Sequence, residues 1–136
     1  MSAVREMSID LAREQLARHR PLVLVAEGHS MWPLVRDGEV VTIEPMDAPP
    51  AIGDVVLFAV GARLVLHRVV AIRGDDVVTK GDARPRPDAP IPRGSILGRL
   101  RRSRANRLLA FASLHGARPL SALLQRARLA LSRAPR

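Results

Sequence analysis

Between Leu22 and Leu100 the chain is a succession of short runs rich in Val, Leu and Ile, each soon cut off by Gly, Pro or Asp. The runs are Leu22–Ala26, Val40–Ile43, Val55–Val60, Leu64–Ile72, Asp76–Thr79 and Ile96–Leu100; the breaks include Asp37-Gly38, Pro49-Pro50, Gly53-Asp54, Gly61 and Gly74-Asp75. Branching at Cβ costs rotamer freedom in a helix but fits the pleated surface of a sheet. Segments this short, punctuated this often, predict a mainly β, compact and largely antiparallel structure. Ahead of them, Ser8 to Arg20 reads as an amphipathic helix: Ser8 can cap it, Ile9, Ala12, Leu16 and Ala17 fall near one face, and Pro21 closes it. Four prolines between Asp82 and Pro92 (Pro85, Pro87, Pro90, Pro92) predict a loop, because proline gives a ladder no N–H.

After Arg104 the pattern turns helical, over 106–115 and again over 120–132, where Leu120, Leu123, Leu124, Ala127 and Leu131 recur at helical spacing. The chain therefore divides into a β domain with its N-terminal helix, 1–104, and a basic amphipathic tail, 105–136. Charge follows the same division. Residues 1–98 carry 12 basic and 13 acidic side chains, whereas residues 99–136 carry ten arginines and no acid, so the whole positive surplus lies from Arg99 onward. Such a tail is a solvated helix, a docking element for an acidic partner, or a peripheral membrane contact.

With 47% apolar residues, the 136-residue chain can bury a core. The absence of cysteine excludes disulfides, thiolate nucleophiles and zinc–thiolate sites, and leaves the redox compartment open. Three aromatic residues, Trp32, Phe58 and Phe111, are too few for base-stacking platforms, so nucleic acid is not the expected partner. No apolar stretch approaches the ~20 residues of a spanning helix. Charges at Arg5, Glu6, Asp10, Arg13 and Glu14 interrupt any signal-peptide core, so a cytoplasmic or membrane-peripheral protein is expected. Oligomeric state is not encoded in any pattern.

Four boxes carry chemistry. Gly28-His29-Ser30-Met31-Trp32-Pro33 can turn tightly and present a hydroxyl. Gly53-Asp54-Val55-Val56 feeds a buried strand, Leu66-His67-Arg68-Val69-Val70 puts an imidazole within an apolar run, and Thr79-Lys80-Gly81-Asp82 is followed by Asp88. A serine hydroxyl needs a neutral imidazole within about 3 Å to remove its proton, and a carboxylate to hold that imidazole's tautomer. Ser30, His67 and one of Asp82 or Asp88 could supply these roles. Lys80, the only lysine, would be the base of a Ser–Lys dyad, although its place beside Gly81-Asp82 suits a turn. His29 adjoins Ser30, but neighbours on an extended chain point to opposite faces, which suits it to lining the site. Met31 is expected to lock the serine turn from within the core, and Trp32 to wall the cleft or pack on the N-terminal helix. With His19, His29, His67 and His115 scattered, neither a metal nor another cofactor is implied.

The ordered boxes Gly-x-Ser-Met-x-Pro, Gly-Asp-Val-Val, His-Arg-Val-Val and Lys-Gly-Asp, with a second Asp, resemble the type I signal peptidase family. The likeness is to the archaeal and endoplasmic-reticulum branch, in which histidine replaces the lysine base, and it spans about Leu22 to Leu100. It implies the antiparallel, barrel-like β-fold shared with LexA-type self-cleaving repressors. It also implies a serine endopeptidase acting on a peptide or preprotein through an acyl-enzyme, with small residues before the cut. By this resemblance Ser30 is the nucleophile and His67 the general base, while Asp82 and Asp88 take the two acidic positions. Asp88 is favoured as the orienter of His67, with Asp82 supporting the loop. His29, Met31 and Trp32 flank the nucleophile as candidate substrate contacts, and the Ser30 N–H is the expected oxyanion donor. Gly28 stands where some bacterial members carry a hydroxyl donor; the family's membrane anchor and larger extra domain have no counterpart in the sequence. A self-cleaving regulatory module and a non-catalytic binding module are the alternatives on the same scaffold, although residues 1–20 show one helix and no helix-turn-helix.

Overall fold

The computed structural model describes residues 3–4 and 8–101. The predicted tail helices and the 105–136 segment lie outside the described residues. Within them the chain is mainly β, one antiparallel sheet of eight strands with one α-helix. In chain order these are β1 (Ala3–Val4), α1 (Ile9–Ala17), β2 (Leu22–Glu27), β3 (Val40–Pro45), β4 (Val55–Val60), β5 (Arg63–Arg73), β6 (Asp76–Lys80), β7 (Ile91–Pro92) and β8 (Ile96–Leu100). The sheet order is β1-β2-β3-β8-β4-β5-β6-β7, and β1 also pairs with β5. Six strands thus close on themselves through β1, with β6 and β7 continuing the sheet beyond β5.

Every predicted strand is present, within a residue or two of its expected ends. The helix is shorter than predicted. Ser8 accepts from the Leu11 N–H at 3.2 Å, as a cap should, but His19 adopts a left-handed φ of 56°, which ends the helix before Pro21. Ala17 is accordingly exposed, while Ala12 and Leu16 are buried. The proline-rich loop also departs from expectation at its end. Ile91–Pro92 pairs with Asp76–Val77 of β6. Pro92 is tolerated because β7 is the outermost strand.

β4 and β5 are nearly all apolar rather than alternating because both of their faces are covered. One face, with Val55, Leu57, Leu64 and Leu66, joins α1, β2 and β3 in the main core around Ala12, Leu16, Leu24 and Ile43. The other, with Val56, Phe58, Val65 and Val69, forms a second core with Val77 of β6. His67 has the parity of Val65 and Val69, and Arg68 that of Leu64 and Leu66. The register Val56↔His67 and Val55↔Arg68 fixes both. A slip of one residue would exchange them.

Where β8 meets β3, no side chain fits. A Cβ on Gly98 would lie 2.7 Å from the Glu44 carbonyl oxygen and from Ile43 Cγ2, and 3.2 Å from Leu16 Cδ1. Gly98→Ala is therefore expected to lower stability by roughly 1–3 kcal/mol, the usual cost of overpacking. Gly94→Ala, where a Cβ meets nothing within 4 Å, should change it little. Urea midpoints of the two variants check this.

Candidate active site

The serine turn is built by its own box. Gly28 takes φ 85° at the end of β2, and its N–H donates to Asp37 Oδ1 at 2.9 Å. The Gly38 N–H returns to the Ala26 carbonyl at 2.7 Å, closing Gly28–Asp37 into a loop anchored on β2 and the start of β3. Met31 is fully buried in the main core and its Sδ accepts the Asp82 N–H at 3.4 Å. It anchors the turn from within the core, as expected. The Val35 N–H bonds to the Met31 carbonyl at 2.9 Å, and the Trp32–Pro33 peptide is cis. Trp32 is half-buried and His29 is exposed.

Ser30 faces His67. Its Oγ lies 3.0 Å from His67 Nε2, and His67 Nδ1 lies 2.5 Å from Asp88 Oδ2. A carboxylate only accepts, so Nδ1 carries the proton and donates it to Asp88. The lone pair of Nε2 is then left facing the serine hydroxyl, the arrangement that lets an imidazole act as a base. Ser30 and His67 are 2% and 3% exposed, whereas the Asp88 side chain is 33% exposed. The imidazole and the Phe58 ring meet in a T-shaped arrangement, with centroids 6.2 Å apart and planes at 72°.

Asp88 is held by two hydrogen bonds with Thr79, a residue to which sequence reasoning gave no role. Thr79 Oγ1 donates to Asp88 Oδ2 at 2.8 Å, and the Asp88 N–H donates to the Thr79 carbonyl at 2.8 Å. Burial alone would raise the Asp88 pKa. The hydrogen bonds from His67 and Thr79, with the electrostatic pull of His67 and Arg84, more than offset it and hold the carboxyl below its ordinary range.

Asp82 does different work. Arg68 Nε and an Nη donate to its two carboxylate oxygens at 2.8 and 2.7 Å, and the other Nη donates to the Gly53 carbonyl at 2.8 Å. Arg68 is 0% and Asp82 4% exposed, so this two-pronged pair is buried. Asp82 is therefore a structural partner of β5, the loop-supporting role expected of it, and not a ligand of His67. The Gly53-Asp54 box completes the clamp: the Gly53 N–H donates to the Val69 carbonyl and the Val69 N–H to the Asp54 carbonyl, each at 2.8 Å.

Gly81 brings the loop against the nucleophile. A Cβ there would lie 2.8 Å from the Ser30 carbonyl oxygen, and the Ala83 N–H donates to that same oxygen at 2.8 Å. Lys80 is half-buried, and its Nζ donates to the Gly81 carbonyl at 3.2 Å, a turn contact. Burial chiefly, and repulsion from Arg68, lower its pKa against the pull of Asp82 and Asp88. Of the predicted residues, Ser30, His67 and Asp88 come together. The missed ones are Arg68, Thr79 and Gly81. An arginine inside an apolar strand run signals a buried acidic partner; Thr79 opens the fourth box, but its own role is not readable from the sequence.

Among the described residues no three His, Asp or Glu side chains converge as metal ligands, and no helix is long and apolar enough to cross a membrane. A scan against protein-family models, a search of curated proteins and a search of solved structures each found no match to this chain.

The two acidic residues should separate cleanly in stability measurements. Arg68→Met leaves Asp82 buried without its partner, a situation that costs about 3–5 kcal/mol in denaturant unfolding. Asp88→Asn should cost far less near neutral pH. Because the folded Asp88 pKa lies below the ordinary 3.8, its contribution is complete above that value and fades as pH falls through it toward the folded value. The stability gap between the native protein and Asp88→Asn should therefore narrow only below about pH 3.8.

Proposed function

We propose that this protein is a serine endopeptidase of the signal-peptidase type, cleaving a peptide or preprotein through an acyl-enzyme. The observation that carries the proposal is the unbroken hydrogen-bonded series Ser30 Oγ, His67 Nε2, His67 Nδ1, Asp88 Oδ2, at 3.0 and 2.5 Å. Its residues stand 37 and 21 positions apart in the chain. The ordered boxes that resemble the histidine branch of the type I signal peptidases support it as well. Each box has a distinct physical task at this one site.

In the proposed reaction, Ser30 Oγ attacks the scissile carbonyl carbon while its proton passes to His67 Nε2. Asp88 accepts from Nδ1 throughout, holding the tautomer and stabilising the imidazolium as it forms. The carbonyl oxygen becomes an oxyanion, for which the Ser30 main-chain N–H is the proposed donor; a donor in such a position is worth ~3–4 kcal/mol of barrier. The C–N bond then breaks, and His67 gives its proton to the leaving amine. Water next attacks the ester, losing a proton to His67, which returns it to Ser30 Oγ as the acid departs. Thr79 acts as a positioning residue, since its hydroxyl touches Asp88 and not the reacting atoms.

A fluorophosphonate serine probe tests this reading. The native protein is expected to take up one label, at Ser30, and Ser30→Ala and His67→Ala to take up none. Lys80→Ala should label at the native rate, and Asp88→Ala roughly 10²–10⁴-fold more slowly. Labelling that survives in His67→Ala but disappears in Lys80→Ala would replace the proposed base with a lysine.

A further inference from the structure

Among the described residues, one edge of β2 and one edge of β5 near the site pair with a single short strand. β2 pairs with β3 along one edge, through Leu22–Val25. β5 pairs with β4 along one edge, from Arg63 to Arg68, and with β6 along the other, but only from Arg68 onward. The β5 edge before Arg68 and the outer edge of β2 therefore face one another. What bridges them is β1, two residues long: Ala3 lies opposite Glu27 and Val65, and Val4 opposite Ala26.

The gap has a direction. β1 is antiparallel to both walls, so β2 and β5 run parallel to each other. Both consequently deliver their C-terminal ends to the same end of the gap. Three residues beyond Glu27 is Ser30, and two beyond Val65 is His67. An extended chain lying between the walls would have its backbone bonded on both sides and be led to the nucleophile. Unpaired strand edges bind extended segments through main-chain N–H and C=O groups, whatever the side chains.

We infer that the gap between β2 and β5 is a strand-accepting site for an extended peptide, and that this chain's own Ala3–Val4 segment occupies it in competition with substrate. The inference rests on the peptidase reading and adds to it a self-inhibited state. The strand edges that β1 pairs with cannot pair with a second strand at the same positions, so an incoming peptide needs the segment to leave.

The chain contains no cysteine, so a disulfide can lock the segment in place. Ala3 and Glu27 are directly opposed, and opposed antiparallel residues, ~4.5–5.5 Å apart at Cα, are within disulfide range. In full-length Ala3→Cys/Glu27→Cys, the oxidised protein is expected to cleave an internally quenched peptide library at least tenfold more slowly than the same protein after dithiothreitol. Glu27→Cys alone should not respond to oxidant. Ala3→Pro/Val4→Pro, which removes both main-chain donors, should cleave several-fold faster than the native chain, and a synthetic peptide of residues 1–7 should inhibit it competitively. Equal cleavage by oxidised and reduced forms, with the fluorophosphonate labelling Ser30 in both, overturns the self-inhibition and leaves the peptidase standing. No labelling and no cleavage in any form overturns the peptidase reading itself, and this inference with it.

Discussion

The paired hydrogen bonds between the Arg68 guanidinium and the Asp82 carboxylate hold the site together. Both groups are out of water, so the pair is stable only while each satisfies the other. That requirement ties the loop after β6 to the middle of β5. Once Asp82 is fixed, its N–H rests on Met31, the Ala83 N–H on the Ser30 carbonyl, and Gly81 fits against the serine backbone. The third arm of Arg68, on the Gly53 carbonyl, brings the turn before β4 into the same assembly. One buried cation thus sets the relative position of three segments far apart in sequence.

Alternation along β5 then divides the work. Arg68 points to one side and orders the scaffold; His67, one residue earlier, points to the other and meets Ser30 and Asp88. Asp88 is best placed to hold a base because it is neither fully buried nor loose. Thr79 and its own N–H fix it, while a third of its side chain remains exposed, which limits the cost of keeping it ionised. Asp82 instead has both oxygens on the permanently charged Arg68, which commits it to the scaffold. The two carboxylates look alike in sequence, and their surroundings give them different tasks.

The strands were legible because β-branched runs between Gly, Pro and Asp have few other outcomes, and Ser8 marked the start of α1. The end of α1 was not, since the left-handed turn is made by His19 and not by the glycine that usually marks such an end. β1 and β7 were hidden because two-residue strands carry no periodicity, and their pairing depends on edges that exist only in the fold. Ser30, His67 and Asp88 could be named from chemistry and from ordered boxes. The choice of Asp88 over Asp82 turns on Arg68, whose charge inside an apolar run was the available clue. Thr79 reads as an ordinary strand residue, and the closeness of Gly81 to Ser30 is a tertiary fact.

The central claim is that Ser30 Oγ is a nucleophile activated by His67. Intact-protein mass spectrometry after mixing with an activated acyl ester, followed by peptide mapping, addresses it most directly. The account predicts one acyl group per chain on Ser30, building up and then decaying as the ester is hydrolysed, and no such species in His67→Ala. An unmodified chain, or acylation confined to other residues, would contradict it.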